Sequence, residues 1–144
     1  MGPRITYPTE RSLVEAFCSA VQGGGPPWGE ARLAREFQFD RGRTDVVAVM
    51  PGAIVVAFEA KLAEWRRALD QAYRNTSFAH QSFVVLPETT AQTAAKFADE
   101  FARRSVGLCY IKQGHIVVAI VAPYQEPVLS WLSHQVVSIV RAGQ

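Results

Sequence analysis

The chain has 144 residues, of which 49% are hydrophobic and 19% are charged, and its formal net charge is +2 at pH 7. This length predicts a single domain over residues 1–144 with a buried core, and this composition excludes an intrinsically disordered chain. No stretch of about 18 apolar residues occurs and no apolar leader follows Met1, so we expect a cytoplasmic protein without a membrane partner.

The first predicted element is a helix that begins after Thr9, a residue type that caps helix N-termini. Apolar residues then recur at helical spacing, and Gly23–Gly25 ends the helix. Glu10 lies near this apolar stripe, so its carboxylate is expected to face inward and to need a partner. The alternative is that Glu10 only interacts with the positive end of the helix dipole.

Residues 31–39 end in alternation that predicts a strand, with Phe37 and Phe39 facing the core. Glu36 is a second acid that could serve a site, ranked below Glu10. The turn at residues 40–42 leads directly into the next strand.

Two runs rich in Val and Ile follow, Gly42–Val49 and Ile54–Lys61, and both predict strands. The turn residues Met50–Ala53 separate them, so we expect a β-hairpin. If Gly52 is the centre of the turn, opposed residues are equally distant from it in sequence. Since side chains alternate between faces, this register decides which residues meet.

In that register Asp45 lies opposite Glu59, and Arg43 lies opposite Lys61. Two opposed carboxylates destabilise a hairpin unless positive charge lies between them. Mg²⁺ supplies such charge, since it takes oxygen ligands from one or two carboxylates and from water. The alternative is an ordinary salt-bridged strand end in which Lys61 pairs with both acids.

The pattern Thr44-Asp45 followed by Glu59-Ala60-Lys61 resembles the PD-(D/E)XK nuclease superfamily, with Thr44 in place of the usual proline. The resemblance implies an α/β fold with a restriction-endonuclease-like core, in which helices flank a mixed central β-sheet. It also implies that Asp45, Glu59 and the carbonyl of Ala60 bind Mg²⁺, for which Mn²⁺ can substitute. Lys61 would then orient the attacking water or help to deprotonate it.

Two further segments carry the resemblance. Residues 10–14, Glu-Arg-Ser-Leu-Val, are similar to the opening helix of archaeal Holliday junction resolvases, which implies that Glu10 reaches the metal site. A helix predicted after Lys61, ending near Asn75, contains the Gln71-Ala72 pair that many superfamily members place beside the metal. The alternative for Gln71 is an ordinary surface glutamine.

Arginine dominates the basic residues, with twelve arginines against three lysines. Guanidinium groups suit bidentate contact with phosphate. We predict that DNA phosphates contact the arginines on either side of the acidic hairpin, namely Arg41, Arg43, Arg66, Arg67 and Arg74. The alternative is a solvated, arginine-rich surface.

The remaining pattern predicts a strand at residues 82–87, a helix at 91–104, strands at 106–111 and 115–121, and a last helix at 127–140. Together with the resemblance, this order of helices and strands predicts a Mg²⁺-dependent DNA endonuclease. Homodimer formation is compatible with this prediction. The competing hypothesis is a catalytically idle nucleic-acid-binding or scaffold protein on the same fold. The form of DNA and the number of metal ions are left open by the sequence.

Overall fold

The computed structural model describes residues 6–40 and 42–143. Arg41, one of the predicted phosphate contacts, lies outside the described residues. In chain order the elements are α1 Glu10–Gln22, β1 Arg32–Phe39, β2 Gly42–Met50, β3 Ile54–Ala60, α2 Trp65–Asn75, β4 Gln81–Val85, α3 Glu88–Ala94, α4 Ala98–Arg103, β5 Gly107–Lys112, β6 His115–Ile120 and α5 Ser130–Ala142.

The strands form one six-stranded sheet in the order β1-β2-β3-β4-β5-β6. Strands β1, β2 and β3 are antiparallel neighbours, β3, β4 and β5 are parallel, and β6 returns antiparallel to β5. The structure confirms the predicted α/β class, with a mixed central sheet and helices on both faces. It also confirms the predicted order of elements.

Strands β2 and β3 are apolar on consecutive residues because helices cover both of their faces. Helix α1 covers one face, where its buried side chains pack on Val46, Val56 and Phe58. Helix α5 covers β1 to β3 on the other face, next to α2, α3 and α4, which cover the parallel half of the sheet. No helix within the described ranges is long and apolar enough to cross a bilayer.

An aromatic cluster fills the space between α1 and the sheet. The ring of Trp28 lies 4.8 Å from that of Phe58 and 4.9 Å from that of Phe83, both in edge-to-face geometry. The ring of Phe17 on α1 lies 4.7 Å from that of Phe58. These contacts hold α1, and therefore Glu10 at its start, against the centre of the sheet.

The predicted hairpin register is confirmed over the paired part of β2 and β3, from Met50↔Ile54 to Val46↔Phe58. The pairing ends there, so Asp45 and Glu59 are next in this register but do not form a pair of the ladder. The prediction that Arg43 lies opposite Lys61 is wrong. Arg43 pairs with Gln38 on β1 instead. The reason is that β3 ends at Ala60, while β2 extends beyond it along β1.

The helix predicted over residues 91–104 is divided. Helix α3 begins earlier, directly after Pro87, and a 3₁₀ turn at residues 95–97 separates it from α4. The break lies at Phe97, whose ring packs 5.4 Å from that of Trp65 on α2 with its backbone outside the helical range. Helix α5 also begins later than predicted, at Ser130.

We expect Gly107→Ala to destabilise the protein, because there is no space for a methyl group at this position. A Cβ atom there would lie 2.5 Å from the Phe83 ring and 2.6 Å from the carbonyl oxygen of Ile120. Overpacking of this kind costs about 1–3 kcal/mol. Denaturant unfolding, with the free energy of unfolding extrapolated to water, measures the effect.

Gly25→Ala is the matched control. A Cβ atom at Gly25 would meet no heavy atom within 4 Å, so its free energy of unfolding should stay close to that of the wild type. If both variants unfolded at the same denaturant concentration, the close packing of β5 on β4 would be refuted.

Candidate functional site

A cavity of about 530 Å³ opens where the hairpin, the start of α1 and helix α2 meet. It is lined by every described residue that the sequence proposed for the metal and the chemistry, namely Glu10, Asp45, Glu59, Ala60, Lys61 and Gln71. Arg43 and Arg74 complete its basic wall. Elements distant in sequence therefore bring these groups to one open depression on the surface.

Asp45 lies at an interruption of the sheet. Its neighbours Thr44 and Val46 pair with β1, but Asp45 and the opposite residue Glu36 do not form a pair. Glu36 has a φ of 58°, a left-handed conformation that a residue with a side chain seldom adopts. With the ladder interrupted, Oδ2 of Asp45 accepts a hydrogen bond of 2.8 Å from the backbone N–H of Ala60. This contact fixes the aspartate to the end of β3.

Glu59 is a carboxylic acid almost without solvent contact, with 2% of its surface exposed. Burial raises its pKa, and the nearby charge of Asp45 and a hydrogen bond with it raise it further. A hydrogen bond from Asn75 and the charge of Arg74 act in the opposite direction, and the resulting pKa is about 8. Near neutral pH, Asp45 and Glu59 are therefore stable side by side when they share a proton or bind a cation.

Two buried residues that the sequence analysis did not assign to the site orient Glu59. Nδ2 of Asn75 donates to Oε2 of Glu59 at 2.7 Å, and the hydroxyl of Thr44 donates to Oδ1 of Asn75 at 2.8 Å. Both residues are fully buried. A usable signal exists for Asn75, because it lies four residues after Gln71 and so shares its face of α2.

Lys61 and Glu10 form the opposite side of the cavity. Nζ of Lys61 lies 3.7 Å from Oε2 of Glu10, and the lysine side chain is 17% exposed. The backbone N–H of Lys61 donates to the carbonyl of Val85, which ties the end of β3 to β4. Glu10 is more exposed than expected, at 48% of its side chain, because it is the first residue of α1 and lies beyond the core.

Arg74 is a cation whose charge acts on the buried Glu59 and lowers its pKa. Its Nη2 donates to the backbone carbonyl of Arg43 at 3.0 Å, and its guanidinium lies 5.3 Å from the centre of the Phe39 ring. Gly42 makes this position possible, since a Cβ atom there would lie 2.6 Å from Nη1 of Arg74. The glycine also has a φ of 139°, which disfavours any side chain.

The predicted phosphate contacts separate into two groups. Arg43 and Arg74 line the cavity, whereas Arg66 and Arg67 do not. Arg66 forms a bidentate pair with Glu100, and its guanidinium group lies over the Trp65 ring. These contacts direct its side chain away from the cavity.

The other charged candidates lie around the cavity rather than in it. Arg67 is exposed and lies 3.8 Å from Glu64. Glu36, the second acid considered from sequence, is also exposed and pairs with Arg43 at 3.7 Å. Glu36 does not line the cavity.

The donor set of the cavity fits Mg²⁺ better than a softer metal. Within residues 6–40 and 42–143, no group of three or more His, Cys, Asp or Glu side chains is placed to hold a metal ion. Two adjacent carboxylates and the backbone carbonyl of Ala60 remain, and Mg²⁺ sites beside phosphate groups commonly use one or two carboxylates and water. A cation bound beside Asp45 would replace the proton that the buried Glu59 otherwise holds near neutral pH.

A search of protein-family models and a search of curated proteins gave no match. Among solved structures, the chain is similar to a protein of unknown function from Silicibacter pomeroyi, with 15% sequence identity and a TM-score of 0.64 over 94% of this chain and 85% of that chain. It also matches SfsA of Pyrococcus furiosus in complex with Ca²⁺, with 11% identity and a TM-score of 0.41 over 80% of this chain and 62% of that chain. At these identities the first likeness concerns the fold alone.

We expect the free energy of unfolding of the metal-free protein to fall as the pH rises from about 4.5 to about 8. The pKa of Glu59 in the folded state is about 8, whereas a glutamate exposed to water in the unfolded chain has an ordinary pKa of 4.5. The folded state therefore binds more protons in this window, and its stability decreases with pH by at most about 1.4 kcal/mol per unit. Denaturant titrations in a chelating buffer at several pH values measure this slope.

Glu59→Gln is the control, because the amide keeps the shape of the side chain and removes its titration. The variant should show a flatter pH dependence over this window, and the difference between the two proteins isolates Glu59 from other titrating groups. Parallel curves for the two proteins would rule out a protonated Glu59 in the folded state.

Proposed function

We propose that this protein is a Mg²⁺-dependent nuclease that hydrolyses phosphodiester bonds in DNA. One observation carries the proposal: Asp45, the buried Glu59 and Lys61 line a single open cavity together with Arg43 and Arg74. Acids that hold a metal, a lysine beside them and arginines for phosphate are the groups that this hydrolysis requires. The resemblance of the hairpin to the PD-(D/E)XK superfamily supports the same reaction.

Each group of the cavity has a distinct task in the proposed reaction. Asp45, Glu59 and the carbonyl of Ala60 would hold the ion, and Asn75 would keep the carboxylate of Glu59 in one orientation. When bound, Mg²⁺ lowers the pKa of its water and offsets charge on the phosphoryl oxygens. Lys61 would orient the attacking water, and its ion pair with Glu10 keeps its Nζ at the cavity.

Arg43 and Arg74 would bind the phosphates that flank the scissile bond. Their guanidinium groups lie on the wall of the cavity, and Arg74 is fixed there by its bond to the carbonyl of Arg43. Guanidinium groups bind phosphate oxygens in a bidentate manner, which fixes the direction of the backbone across the site. Gln71 can donate to or accept from a water or a phosphate oxygen.

Asp45→Asn and Lys61→Ala are each expected to lower metal-dependent cleavage of labelled DNA by roughly 100-fold or more, since each removes a group that acts on the transition state. The substrates would be single-stranded, linear duplex and four-way DNA with Mg²⁺ or Mn²⁺. Calorimetric titration with Mn²⁺ gives a second readout, in which Asp45→Asn should weaken binding of the ion.

Asp99→Asn and Lys112→Ala are the matched controls, because both residues are exposed and lie outside the cavity. They should cleave like the wild type. DNA binding without cleavage, unchanged in Asp45→Asn, would instead support the idle nucleic-acid-binding protein. Homodimer formation stays a prediction, and light scattering of the protein in solution tests it.

We further expect Arg43→Ala to reduce the salt dependence of DNA binding, whereas Arg66→Ala should leave it unchanged. The two side chains are similarly exposed, at 54% and 58%. Arg43 lines the cavity and has only a long contact of 3.7 Å with Glu36, whereas Arg66 lies outside the cavity and is held by two hydrogen bonds to Glu100. Loss of one phosphate contact lowers the slope of log K against log salt by about 1.

Fluorescence anisotropy with labelled DNA at four or more salt concentrations gives these slopes. Equal reductions in both variants would show that the phosphate-binding surface is not centred on the cavity.

A further inference from the structure

A second cavity, of about 580 Å³, lies beside the first. Helix α2 and the segment that leads into α5 form its walls, with Tyr73, Arg74 and Ser77 on one side and Glu126, Val128 and Leu129 on the other. Arg74 lines both cavities. The two cavities are therefore neighbours that share the Arg74 residue, and a ligand that spans both would pass this residue.

The charges of the second cavity are arranged for a ligand that is anionic only at one end. Arg74 and Glu126 are the charged residues among those that line it. A phosphate is attracted at the Arg74 end, where the first cavity begins, and is repelled by the carboxylate of Glu126. The part of the ligand beyond Arg74 must therefore be neutral.

The surface beyond Arg74 suits a flat, partly apolar group. Tyr73 is 55% exposed and Val128 is 87% exposed, so both side chains present apolar surface to a ligand in this cavity. An exposed aromatic ring close to an arginine that can hold a phosphate is an arrangement on which nucleic-acid bases stack, and Tyr73 is next to Arg74 in this cavity. The carboxylate of Glu126 can accept a hydrogen bond from the exocyclic amino group of a base such as cytosine.

We propose that the second cavity binds the base of an unpaired nucleotide adjacent to the scissile phosphate, with the base stacked on Tyr73. This inference rests on the proposed nuclease function and narrows its substrate to DNA with unpaired nucleotides at the cut, such as single strands, bulges or flaps. A base within an intact duplex is already stacked and paired, so it cannot enter the cavity without being extruded.

The first test measures binding by fluorescence anisotropy in a chelating buffer, so that no cleavage occurs. Three labelled DNAs of equal length are compared: a single strand, a blunt duplex and a duplex with one unpaired nucleotide. Tyr73→Ala should weaken binding of the first and third by roughly 5- to 150-fold, the range expected for one stacked base, and should leave the blunt duplex unchanged.

Two variants make this result specific. Tyr73→Phe keeps the ring and should bind like the wild type. Phe97→Ala removes another exposed aromatic side chain, which lines neither this cavity nor the first and should leave binding unchanged. Thermal melting of each variant checks that the fold is intact.

The second test removes the base instead of the ring. Single strands that carry one abasic site at successive positions are bound to the wild type and to Tyr73→Ala. At one position, the abasic site should weaken binding to the wild type by the same factor by which Tyr73→Ala weakens binding of the intact strand. Binding to Tyr73→Ala should not change when the abasic site is at that position. Cleavage mapping with Mg²⁺ should then place this position next to the cut bond.

The outcomes separate this inference from the nuclease proposal. Cleavage that Asp45→Asn abolishes, together with equal effects of Tyr73→Ala on all three DNAs, would keep the nuclease and overturn the base site. Binding that depends on Tyr73 and on one base, without cleavage, would keep the base site and overturn the nuclease. If no DNA binds, both are wrong.

Discussion

A carboxylic acid buried beside a second one is the constraint around which this structure is arranged. Glu59 lies at the end of an apolar strand, where water cannot solvate its charge, and Asp45 adds a like charge next to it. The surroundings reduce this cost without removing it: Asn75 donates to Glu59, Ala60 donates to Asp45, and Arg74 provides positive charge. The pKa of Glu59 stays raised, so the compensation is incomplete, and removal of Asn75 or Arg74 would raise it further.

The fold and the centre of the site could be predicted from sequence because they depend on local patterns. Apolar periodicity gave the order of the elements, and a turn centred on Gly52 gave the register that directs Asp45 and Glu59 to one side. The details that failed depend on contacts between distant residues. The left-handed backbone of Glu36, which interrupts the ladder at Asp45, is set by tertiary packing and leaves no local pattern. The spacing from Gln71 places Asn75 on the right face of α2, but its bond to Glu59 depends on how α2 docks on the sheet.

The arginines also show how far local sequence patterns can predict the site. In sequence, Arg66, Arg67 and Arg74 form one basic group after Lys61. On helix α2, Arg67 and Arg74 are seven residues apart and lie on the same side, whereas Arg66 is turned by about 100° and meets Glu100. Composition identifies residues that can bind phosphate, but the helix and its neighbours decide which of them remain available near the cavity.

The short connection between the two carboxylates has a consequence for how the chain folds. Thirteen residues separate Asp45 from Glu59, so closure of the hairpin alone brings them together. Asn75 and Arg74 arrive only when α2 docks on the sheet, because they lie beyond the hairpin in sequence. We therefore expect the two acids to meet when the Ala60 N–H is their partner within the hairpin and before α2 contributes, so that a proton or a cation on them would favour hairpin closure as well as stabilise the finished structure.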